Sequence, residues 1–432
     1  MNANAPLPSL SNLDDSQLNE LFNAKQEQYR KHQSKGLNLD LTRGKPSAEQ
    51  LSLADSLDGI LEGDYQSDDG VDTRNYGGLE GLAGARELGA KLLAMPATNV
   101  FAQGNSSLTL MHQAMLTGYL FGFDGPESAW IKRNNKIKFL CPVPGYDRHF
   151  SVCEHFGIEM VTVPMTSSGP DMDVVEKLVS VDSTIVGMWC VPKYSNPTGV
   201  IYDDATVLRI AELGSKASDG FRVFWDNAYS VHDLSDTPLS LKPIWPALVN
   251  AGTEDSVLQF ASTSKITHAG AGVAFLGASD LNLAAFKKAI SFSTIGPDKV
   301  NQLRHVRFFE QNDLSQHMQN HAKILKPRFD SVTTHLRRAF ADNQLGSWEN
   351  PDGGYFIAFD TQDGCAKRVV ELAKEAGVKL TPAGATFPYG NDPKDSNIRI
   401  APSVPTLDEV NAAMEIFVCC VELATLEKTL QR

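Results

Sequence analysis

One lysine, Lys265, occupies a position from which it could do covalent chemistry. The apolar run 257–260 is typical of a buried strand, and it leads through the small residues 261–264 directly to Lys265. A loop containing Gly270 and Gly272 follows. Burial disfavours the charged ammonium form, and a neutral amine attacks carbonyl carbons to form an imine. The alternative is a surface lysine in a polar loop, where most lysines lie, so the rest of the chain has to decide.

A phosphate-binding site is one interpretation of the segment after the apolar run 100–102. Here Gly104, Asn105, Ser106 and Ser107 open directly into a predicted helix. Small residues, hydroxyl groups and free backbone N–H groups at the N-terminus of a helix suit a phosphate group. The alternative is a serine that only caps the helix.

Two further turns could contact a planar cofactor. Tyr146 follows the apolar run 137–141 at the rim of the predicted sheet, where its ring could stack on a cofactor or pack against the core. Asn196, in the sequence SNPTG after the run 185–191, could donate a hydrogen bond to a phenolic oxygen. Asn-Pro and Thr-Gly are also common turn formers, so neither motif decides alone.

Two charged residues stand inside or directly beside apolar strands. Asp226 follows the run 221–225, with Tyr229 three residues later, and a buried carboxylate needs a cationic partner. A protonated pyridinium nitrogen or a structural arginine would serve. Arg399 lies in the strand-like sequence NIRIA, and a buried arginine needs a carboxylate from the protein or from a substrate.

The elements that would position these residues follow a repeating pattern. Short continuous apolar runs alternate with helical segments, which predicts a mainly parallel sheet covered on both faces. Ligands of such sheets bind beyond the carboxyl ends of the strands, where Lys265 and the turns described above would lie. The apolar runs are residues 100–102, 137–141, 160–163, 185–191, 221–225, 257–260 and 273–276, and helical segments include 108–121, 171–179 and 203–217.

Both chain ends are predicted to build a second, smaller α/β domain. A polar amphipathic helix is expected over residues 11–35, and a short strand over 37–41. The segment 299–340 has a helical period and should cross between the domains. The predicted division is a large domain over residues 60–310 and a small domain over residues 1–59 and 311–432.

Composition restricts the class of protein and its partners. The 432-residue chain has 42% hydrophobic and 21% charged residues, which is typical of a soluble globular protein of about two domains. A net charge of −13 argues against non-specific nucleic-acid binding. No leader-like or membrane-spanning stretch is visible, and the six cysteines lack CxxC spacing, which favours free thiols in a reducing compartment. We therefore expect a cytoplasmic protein that binds no nucleic acid, membrane or metal.

Taken in chain order, the motifs resemble those of one enzyme family. Their sequences are SNPTG, WDNAY, STSK and IRIAPS. Together they resemble the fold-type I enzymes that use pyridoxal 5′-phosphate (PLP), and among these the class I aminotransferases. The stretches LDLTRGKPS, RNYGGLEG, CPVPGYDRHF and STSKITHAGAG are similar to a bacterial branch of the aspartate aminotransferases called type Ic. The resemblance covers the chain from about Leu37 to its end.

The resemblance implies a catalytic role for several motif residues. Lys265 would hold PLP as an internal aldimine and, once displaced by the substrate amine, move a proton between substrate and cofactor. Asp226 would keep the pyridine nitrogen protonated. Asn196 and Tyr229 would hydrogen-bond the ring oxygen, and Tyr146 would stack on the ring.

The resemblance also implies which residues hold the phosphate and the substrate. Arg399, with Asn196 and Gly44 nearby, would bind the α-carboxylate of the substrate. The active sites would be shared across a homodimer, because a family tyrosine reaches the phosphate of the neighbouring subunit. The implied phosphate ligands are Gly104, Asn105, Ser106, Ser107, Ser262, Ser264 and Tyr76 of the partner subunit.

Two departures from the family concern charges that such a site needs. Related enzymes usually carry an arginine eight residues after the lysine, paired with the phosphate, and this chain has Val273 there. Many aspartate-specific members carry an arginine near the position of Ser291 for the side-chain carboxylate, and this chain has none in that stretch. Both the charge partner of the phosphate and the substrate assignment are therefore open.

Arg43 and Lys45 are the candidates for the missing second cation. They flank Gly44, which corresponds to a family segment that closes over the substrate. Lys299, a few residues beyond the Ser291 stretch, is a further candidate. The alternative is that Arg43 and Lys45 are solvated charges of a turn.

The leading functional hypothesis is a homodimeric PLP aminotransferase that acts on aspartate or glutamate with 2-oxoglutarate. One alternative is another PLP reaction on the same fold, such as C–S β-elimination or transamination of a different amino acid. A second is a PLP-fold transcription regulator. Such regulators carry a DNA-binding domain ahead of this fold, whereas only about 36 residues precede the first matched motif here, which disfavours a regulator.

Overall fold

The computed structural model describes residues 7–133, 135–235, 237 and 239–431. It is an α/β structure. The strands are β1 (Leu39–Asp40), β2 (Val100–Ala102), β3 (Lys138–Val143), β4 (Glu159–Thr166), β5 (Gly169–Pro170), β6 (Ile185–Cys190), β7 (Arg222–Asp226), β8 (Val257–Ser262), β9 (Ala274–Gly277), β10 (Gly346–Trp348), β11 (Ile357–Thr361), β12 (Val378–Lys379) and β13 (Asn397–Ile400).

The helices alternate with these strands along most of the chain. They are α1 (Asp15–Gln33), α2 (Ala48–Ser52), α3 (Ala83–Leu93), α4 (Ser107–Leu116), α5 (Asp147–His155), α6 (Met172–Val181), α7 (Asp204–Ala211), α8 (Leu213–Lys216), α9 (Ile244–Ala251), α10 (Asp280–Ile290), α11 (Lys299–Gln311), α12 (Leu314–Phe340), α13 (Ala366–Glu375) and α14 (Leu407–Leu430).

The central sheet is mainly parallel, as the apolar runs predict. Its strand order is β2-β9-β8-β7-β6-β3-β4-β5, with β9 and β5 antiparallel to their neighbours. Every residue of β6 and β7 is buried, because helices cover both faces of the sheet. The carboxyl ends of β2, β3, β6, β7 and β8 consequently lie on the same side of the sheet. The candidate residues come directly after these strand ends.

The structure divides two of the predicted helical segments. The segment 299–340, expected to be helical in period, forms the two helices α11 and α12, because the Asp313 side chain accepts a hydrogen bond from the Gln316 backbone N–H and begins a new helix. The segment 203–217 is likewise divided into α7 and α8.

The two chain ends pack together beside the central sheet. β1 pairs with β12 in parallel, with Leu39 opposite Val378, and β10, β11 and β13 form an antiparallel sheet. The N-terminal helix α1 packs against the C-terminal helix α14, with a buried ion pair of 2.6 Å between Lys25 and Glu422. The boundaries at residues 60 and 310 stay a prediction.

Two sequence expectations about the bulk of the protein can be compared directly. All six cysteines are buried free thiols, as predicted. Among the described residues, no helix is long and apolar enough to span a bilayer.

Candidate active site

Lys265 lies in a tight turn just beyond the carboxyl end of β8. The backbone N–H groups of Ile266 and Thr267 both donate to the Thr263 carbonyl oxygen, each over 2.8 Å, which fixes the turn. The Lys265 side chain is half-buried, and its Nζ lies 4.8 Å from the centre of the Tyr229 ring. Desolvation lowers the pKa of the Lys265 amine, although the Asp226 carboxylate opposes this effect. The alternative of a solvated surface lysine does not fit this position.

Asp226 ends β7 with its carboxylate almost completely buried. Only 2% of the residue is exposed, and its Oδ2 accepts a hydrogen bond of 3.1 Å from His149 Nε2. Its Oδ1 is buried and has no hydrogen-bond partner among the described residues. The partner of the Asp226 carboxylate is therefore a histidine and not the structural arginine considered above. Its second oxygen remains able to accept a hydrogen bond.

The sequence did not single out His149, although it stands three residues after Tyr146 in the first turn of α5. Its ring stacks on Trp189, with centroids 4.2 Å apart and an interplanar angle of 9°. The Tyr146 ring packs edge-on against it at 4.9 Å. These contacts hold the imidazole against Asp226. In the sequence, the spacing of three residues from Tyr146 was the signal that could have identified His149.

Arg399 and Asn196 form a second polar group at the same edge. Arg399 Nη1 donates to Asp147 Oδ1 over 2.8 Å and to Asn196 Oδ1 over 3.3 Å. The guanidinium also lies 4.8 Å over the Phe356 ring. Asp147 was another residue that the sequence did not reveal.

Donor groups remain free on both of these side chains. Arg399 is 6% exposed, and its Nε has no partner within the described part of the chain, while its Nη2 makes only a 3.4 Å contact with Thr381. The Asn196 Nδ2 amide is also buried and unpaired there. The Nε edge of the guanidinium can thus bind a carboxylate from outside the chain, as bidentate arginine pairs do.

The N-terminus of α4 provides a cradle of small polar residues. Ser106 is the N-cap residue of α4, but its side chain makes no capping hydrogen bond. Gly104 adopts a positive φ of 58°, which favours glycine. Ser264 Oγ donates to the Asn105 carbonyl over 2.7 Å and so ties this loop to the turn that carries Lys265. The Ser106 hydroxyl is therefore available to an anion at the helix N-terminus.

Two other residues of the expected phosphate group extend this cradle. Ser107 is the first residue of α4, and Ser262 is the last residue of β8, opposite Ala274 of β9. Val273, at the position of the missing family arginine, is buried in an apolar cluster with Ile266 and Leu303. That position therefore packs the core and offers no charge to a phosphate.

Burial keeps the two aromatic hydroxyl groups of the site protonated. Desolvation, with the Asp226 charge nearby, raises the pKa values of Tyr146 and Tyr229 above the usual range of tyrosine. Both side chains are therefore hydrogen-bond donors at neutral pH.

The structure leaves the remaining candidates at a distance or in solvent. Tyr76 is 83% exposed, and its carbonyl accepts a hydrogen bond of 3.2 Å from Nζ of the buried Lys299. Arg43 and Lys45 are exposed and form no ion pair with any described residue. No contact in the described chain brings any of these four side chains to Lys265.

Gly44 nevertheless lies next to the Arg399 group. A Cβ atom at Gly44 would clash with the ring of Phe356, the same ring that lies beneath the guanidinium. The Thr42 carbonyl accepts a hydrogen bond from Thr381, which also contacts Arg399. The segment that carries Arg43 therefore borders the pocket even though the Arg43 side chain points into solvent.

Known proteins provide close likenesses to the whole chain. The family model described as aspartate amino-transferase matches residues 13–432. An aspartate aminotransferase from Corynebacterium glutamicum is 45% identical over 396 residues, which are 91% of this chain and 91% of that protein. The crystal structure of an aspartate transaminase from the same organism has a TM-score of 0.93 at 43% identity, covering 97% of this chain and 99% of that one.

A more distant likeness concerns the fold alone. An α-aminoadipate aminotransferase from Thermus thermophilus, solved with N-(5′-phosphopyridoxyl)-L-leucine, has a TM-score of 0.72 at 19% identity and covers 93% of this chain and 95% of that one. The predicted type I fold is confirmed by these similarities.

Proposed function

Because the chain belongs to the aspartate aminotransferase family, we propose that it binds PLP on Lys265 and transfers the amino group of aspartate to 2-oxoglutarate. Amino-group transfer is the activity of the family. The cofactor, the two substrates and the roles of the individual residues are the parts that we propose. When bound, PLP supplies an electron sink for the negative charge that develops on the substrate α-carbon.

The buried oxygen Asp226 Oδ1 carries this proposal. A buried carboxylate oxygen without a donor is unfavourable by about 1–3 kcal/mol or more, and Oδ1 has no donor among the described residues. A pyridinium N–H would satisfy it and would neutralise the charge. His149 holds the other oxygen over 3.1 Å, so the carboxylate is already oriented for such a donor.

The other polar groups of the site also fit PLP. The unpaired Asn196 Nδ2 can donate to the ring oxygen, and the uncapped Ser106 hydroxyl can donate to the phosphate. The amine of Lys265, with its lowered pKa, is suited to attack a carbonyl carbon and later to accept a proton from the substrate α-carbon. The free Nε edge of Arg399 would orient the substrate through its α-carboxylate.

A panel of amino donors tests the proposed reaction. The purified enzyme with PLP and 2-oxoglutarate should form glutamate fastest from aspartate, and more slowly from alanine, aromatic donors and cystathionine-like donors. Preference for another donor would move the assignment to a different aminotransferase. Release of ammonia and a thiol without glutamate would instead favour C–S β-elimination.

We also propose that the enzyme is a homodimer whose active sites use Tyr76 of the partner subunit. Tyr76 is 83% exposed, its neighbour Gly77 lies against Gly296, and a contiguous exposed apolar patch indicates a protein–protein contact. Phe292, which is 82% exposed, and Ile295 are also unusually accessible. In a single chain Lys299 holds the Tyr76 backbone, and no hydrogen bond or ring contact of the described residues joins the Tyr76 ring to the cradle at Ser106.

A mixing experiment tests the shared site. We expect Tyr76→Phe to be weakened and Lys265→Ala to be inactive, whereas a hybrid dimer would hold one wild-type site. In an equal mixture about half of the dimers are hybrids, so the activity should recover towards about a quarter of that of the wild type. A fully active monomer in light scattering, or hybrids without recovery, would contradict the shared site.

Arg43 is the residue that we propose for the side-chain carboxylate of aspartate. A desolvated carboxylate without a cation is costly, and Arg43 is an exposed cation with no ion pair in the described chain, next to the Gly44 segment that borders Arg399. Arg43→Ala should reduce transition-state stabilisation for aspartate by about 2–5 kcal/mol. Values of kcat/KM for alanine should change little.

The comparison for this prediction is Lys45→Ala, which removes the other exposed cation that flanks Gly44 and was also a candidate. It should leave the ratio of aspartate to alanine activity close to that of the wild type. Equal losses of Arg43→Ala on both donors would mean that Arg43 supports the fold and does not recognise the substrate.

A further inference from the structure

Buried histidines contact the backbone of the turn that carries Lys265. Within the turn, the N–H groups of Ile266 and Thr267 bind the Thr263 carbonyl. The carbonyl groups of Lys265 and Ile266 also need hydrogen-bond donors, because buried backbone acceptors are costly when unpaired. They find them on side chains from α12 and from the loop after β7. What these histidines do for Lys265 rests on the proposed function, in which Lys265 binds the cofactor.

The Ile266 carbonyl accepts two hydrogen bonds from one face of α12. His317 Nε2 donates to it over 2.6 Å, and His321 Nε2 donates over 2.9 Å. The two rings are neighbours because residues four apart lie on the same side of a helix. Both are buried, with 6% and 1% of the residue exposed. A carbonyl oxygen has two lone pairs, so both donors can be accommodated.

The proton of His321 is assigned by its second neighbour. Gln50 Nε2 lies 3.1 Å from His321 Nδ1 and 3.0 Å from the Tyr355 hydroxyl, while the Gln50 side-chain oxygen accepts from the Ser47 backbone N–H. Gln50 is therefore the donor to Nδ1, which leaves the His321 proton on Nε2, facing Ile266. Burial lowers the pKa of His321 to about 4, in keeping with a neutral ring.

Two more histidines bind the residues on either side of Ile266. His232 Nε2 lies 3.2 Å from the Lys265 carbonyl oxygen. His305 Nε2 lies 2.9 Å from the Thr267 hydroxyl, and its Nδ1 lies 2.9 Å from the Asn301 carbonyl. Both rings are buried, and burial lowers their pKa values to about 3 and about 4. Four of the ten histidines of the chain thus bind three consecutive residues.

Metal binding does not account for this arrangement. Within the described residues, no group of three histidine, cysteine, aspartate or glutamate side chains is placed to hold a metal ion. The ring nitrogens that point at the turn are engaged by a carbonyl or hydroxyl oxygen. The common target of the rings is the lysine turn, which three of them contact at a backbone carbonyl and His305 contacts at the Thr267 hydroxyl.

We propose that His317 and His321 are positioning residues, which hold the Ile266 carbonyl and thereby aim the amine of Lys265 into the active site. His232 and His305 support the same turn from the other sides. A polar clamp of this kind fixes a backbone more sharply than apolar packing does, because each hydrogen bond has a preferred direction.

Paired substitutions separate positioning from folding. A glutamine places an N–H donor close to the position of the imidazole Nε2, whereas leucine fills similar space without a donor. We expect the double variant His317→Leu/His321→Leu, loaded with PLP, to lose about tenfold or more in kcat, or about 1.4 kcal/mol, with KM for aspartate nearly unchanged. The pH midpoint of the absorbance change of the bound cofactor should also move, because the environment of the Lys265 amine changes.

A measurement on the cofactor-free protein provides an independent readout. Hydrogen exchange of the peptide that covers residues 263–267 should be faster in the leucine variant and close to the wild type in His317→Gln/His321→Gln. The glutamine variant should also recover most of kcat and the spectral midpoint. If the double leucine variant does not fold, each single leucine variant should show the same changes to a smaller extent.

The results can contradict this inference without touching the proposed function. If the leucine variants are less stable, yet retain the kcat, the spectral midpoint and the exchange rate of the wild type, the histidines only support the fold. The proposal would also be overturned if His317→Gln/His321→Gln recovered neither the kcat, nor the spectral midpoint, nor the exchange rate of the wild type. If the wild-type enzyme itself neither binds PLP nor forms glutamate, the proposed function is what fails.

Discussion

Lys265→Ala should abolish almost all amino-group transfer by the enzyme. Under the proposed function, the substitution would remove both the amine that binds the cofactor and the base that moves the proton, and general acid–base catalysis alone contributes about 10²–10⁴-fold. We therefore expect kcat with aspartate and 2-oxoglutarate to fall by at least that factor. Stopped assays of glutamate formation, with PLP in excess, measure this directly.

The control for this prediction is Lys91→Ala, which changes an exposed lysine on α3. It should keep the activity and the melting temperature of the wild type. If Lys265→Ala transaminates at a rate near that of the wild type, the assignment of the site is wrong as a whole, because no other described lysine lies over Tyr229 beyond β8.

Asp226→Ala should lower turnover by roughly 10²–10⁴-fold, because loss of one partner from a buried ion pair costs about 3–5 kcal/mol. Here the lost partner would be the carboxylate beneath the protonated ring nitrogen. The cofactor-free protein should remain folded, since among the described residues the Asp226 carboxylate is bound only by His149 and one of its oxygens has no partner. Weak binding of PLP should persist through the phosphate cradle and Lys265.

Asp226→Asn distinguishes the charge from the hydrogen bond. Its side-chain oxygen can still accept from His149, so the fold should be preserved, but the group cannot hold a ring nitrogen in its protonated state. We expect Asn to be nearly as inactive as Ala. A melting temperature that collapses in both variants, with the remaining folded protein fully active, would instead assign Asp226 a structural role.

Much of the sheet could be predicted from the sequence because its strands are apolar throughout. The apolar runs that form β6 and β7 are buried on both faces, so their continuous hydrophobic sequence is enough to predict them as buried strands. The turns that follow them were identifiable for the same reason, since polar residues directly after such strands must lie at the carboxyl edge. Asp226, Asn196 and Lys265 are all found there.

The residues that the sequence did not reveal have polar partners from distant parts of the chain. His317 and His321 lie in a helix with a polar sequence, and both are buried with their Nε2 atoms at one backbone carbonyl. Asp147 follows Tyr146 in a turn, and only the fold brings it to Arg399, which is 252 residues away. Hydrophobic periodicity contains no information about such contacts.

The exposed candidates could not be placed from the sequence for a different reason. Tyr76, Arg43 and Lys45 are exposed in a single chain. Whether such side chains serve the site depends on a second subunit or on closure of the Gly44 segment. Neither leaves a local pattern in the sequence.

Chemical trapping of the cofactor tests the central claim most directly. The wild-type enzyme loaded with PLP should be yellow, and borohydride should remove that colour by fixing the cofactor to the protein. After digestion, mass spectrometry should find the reduced cofactor on the single peptide that contains Lys265. Attachment to any other lysine, or no attachment at all, would contradict the account.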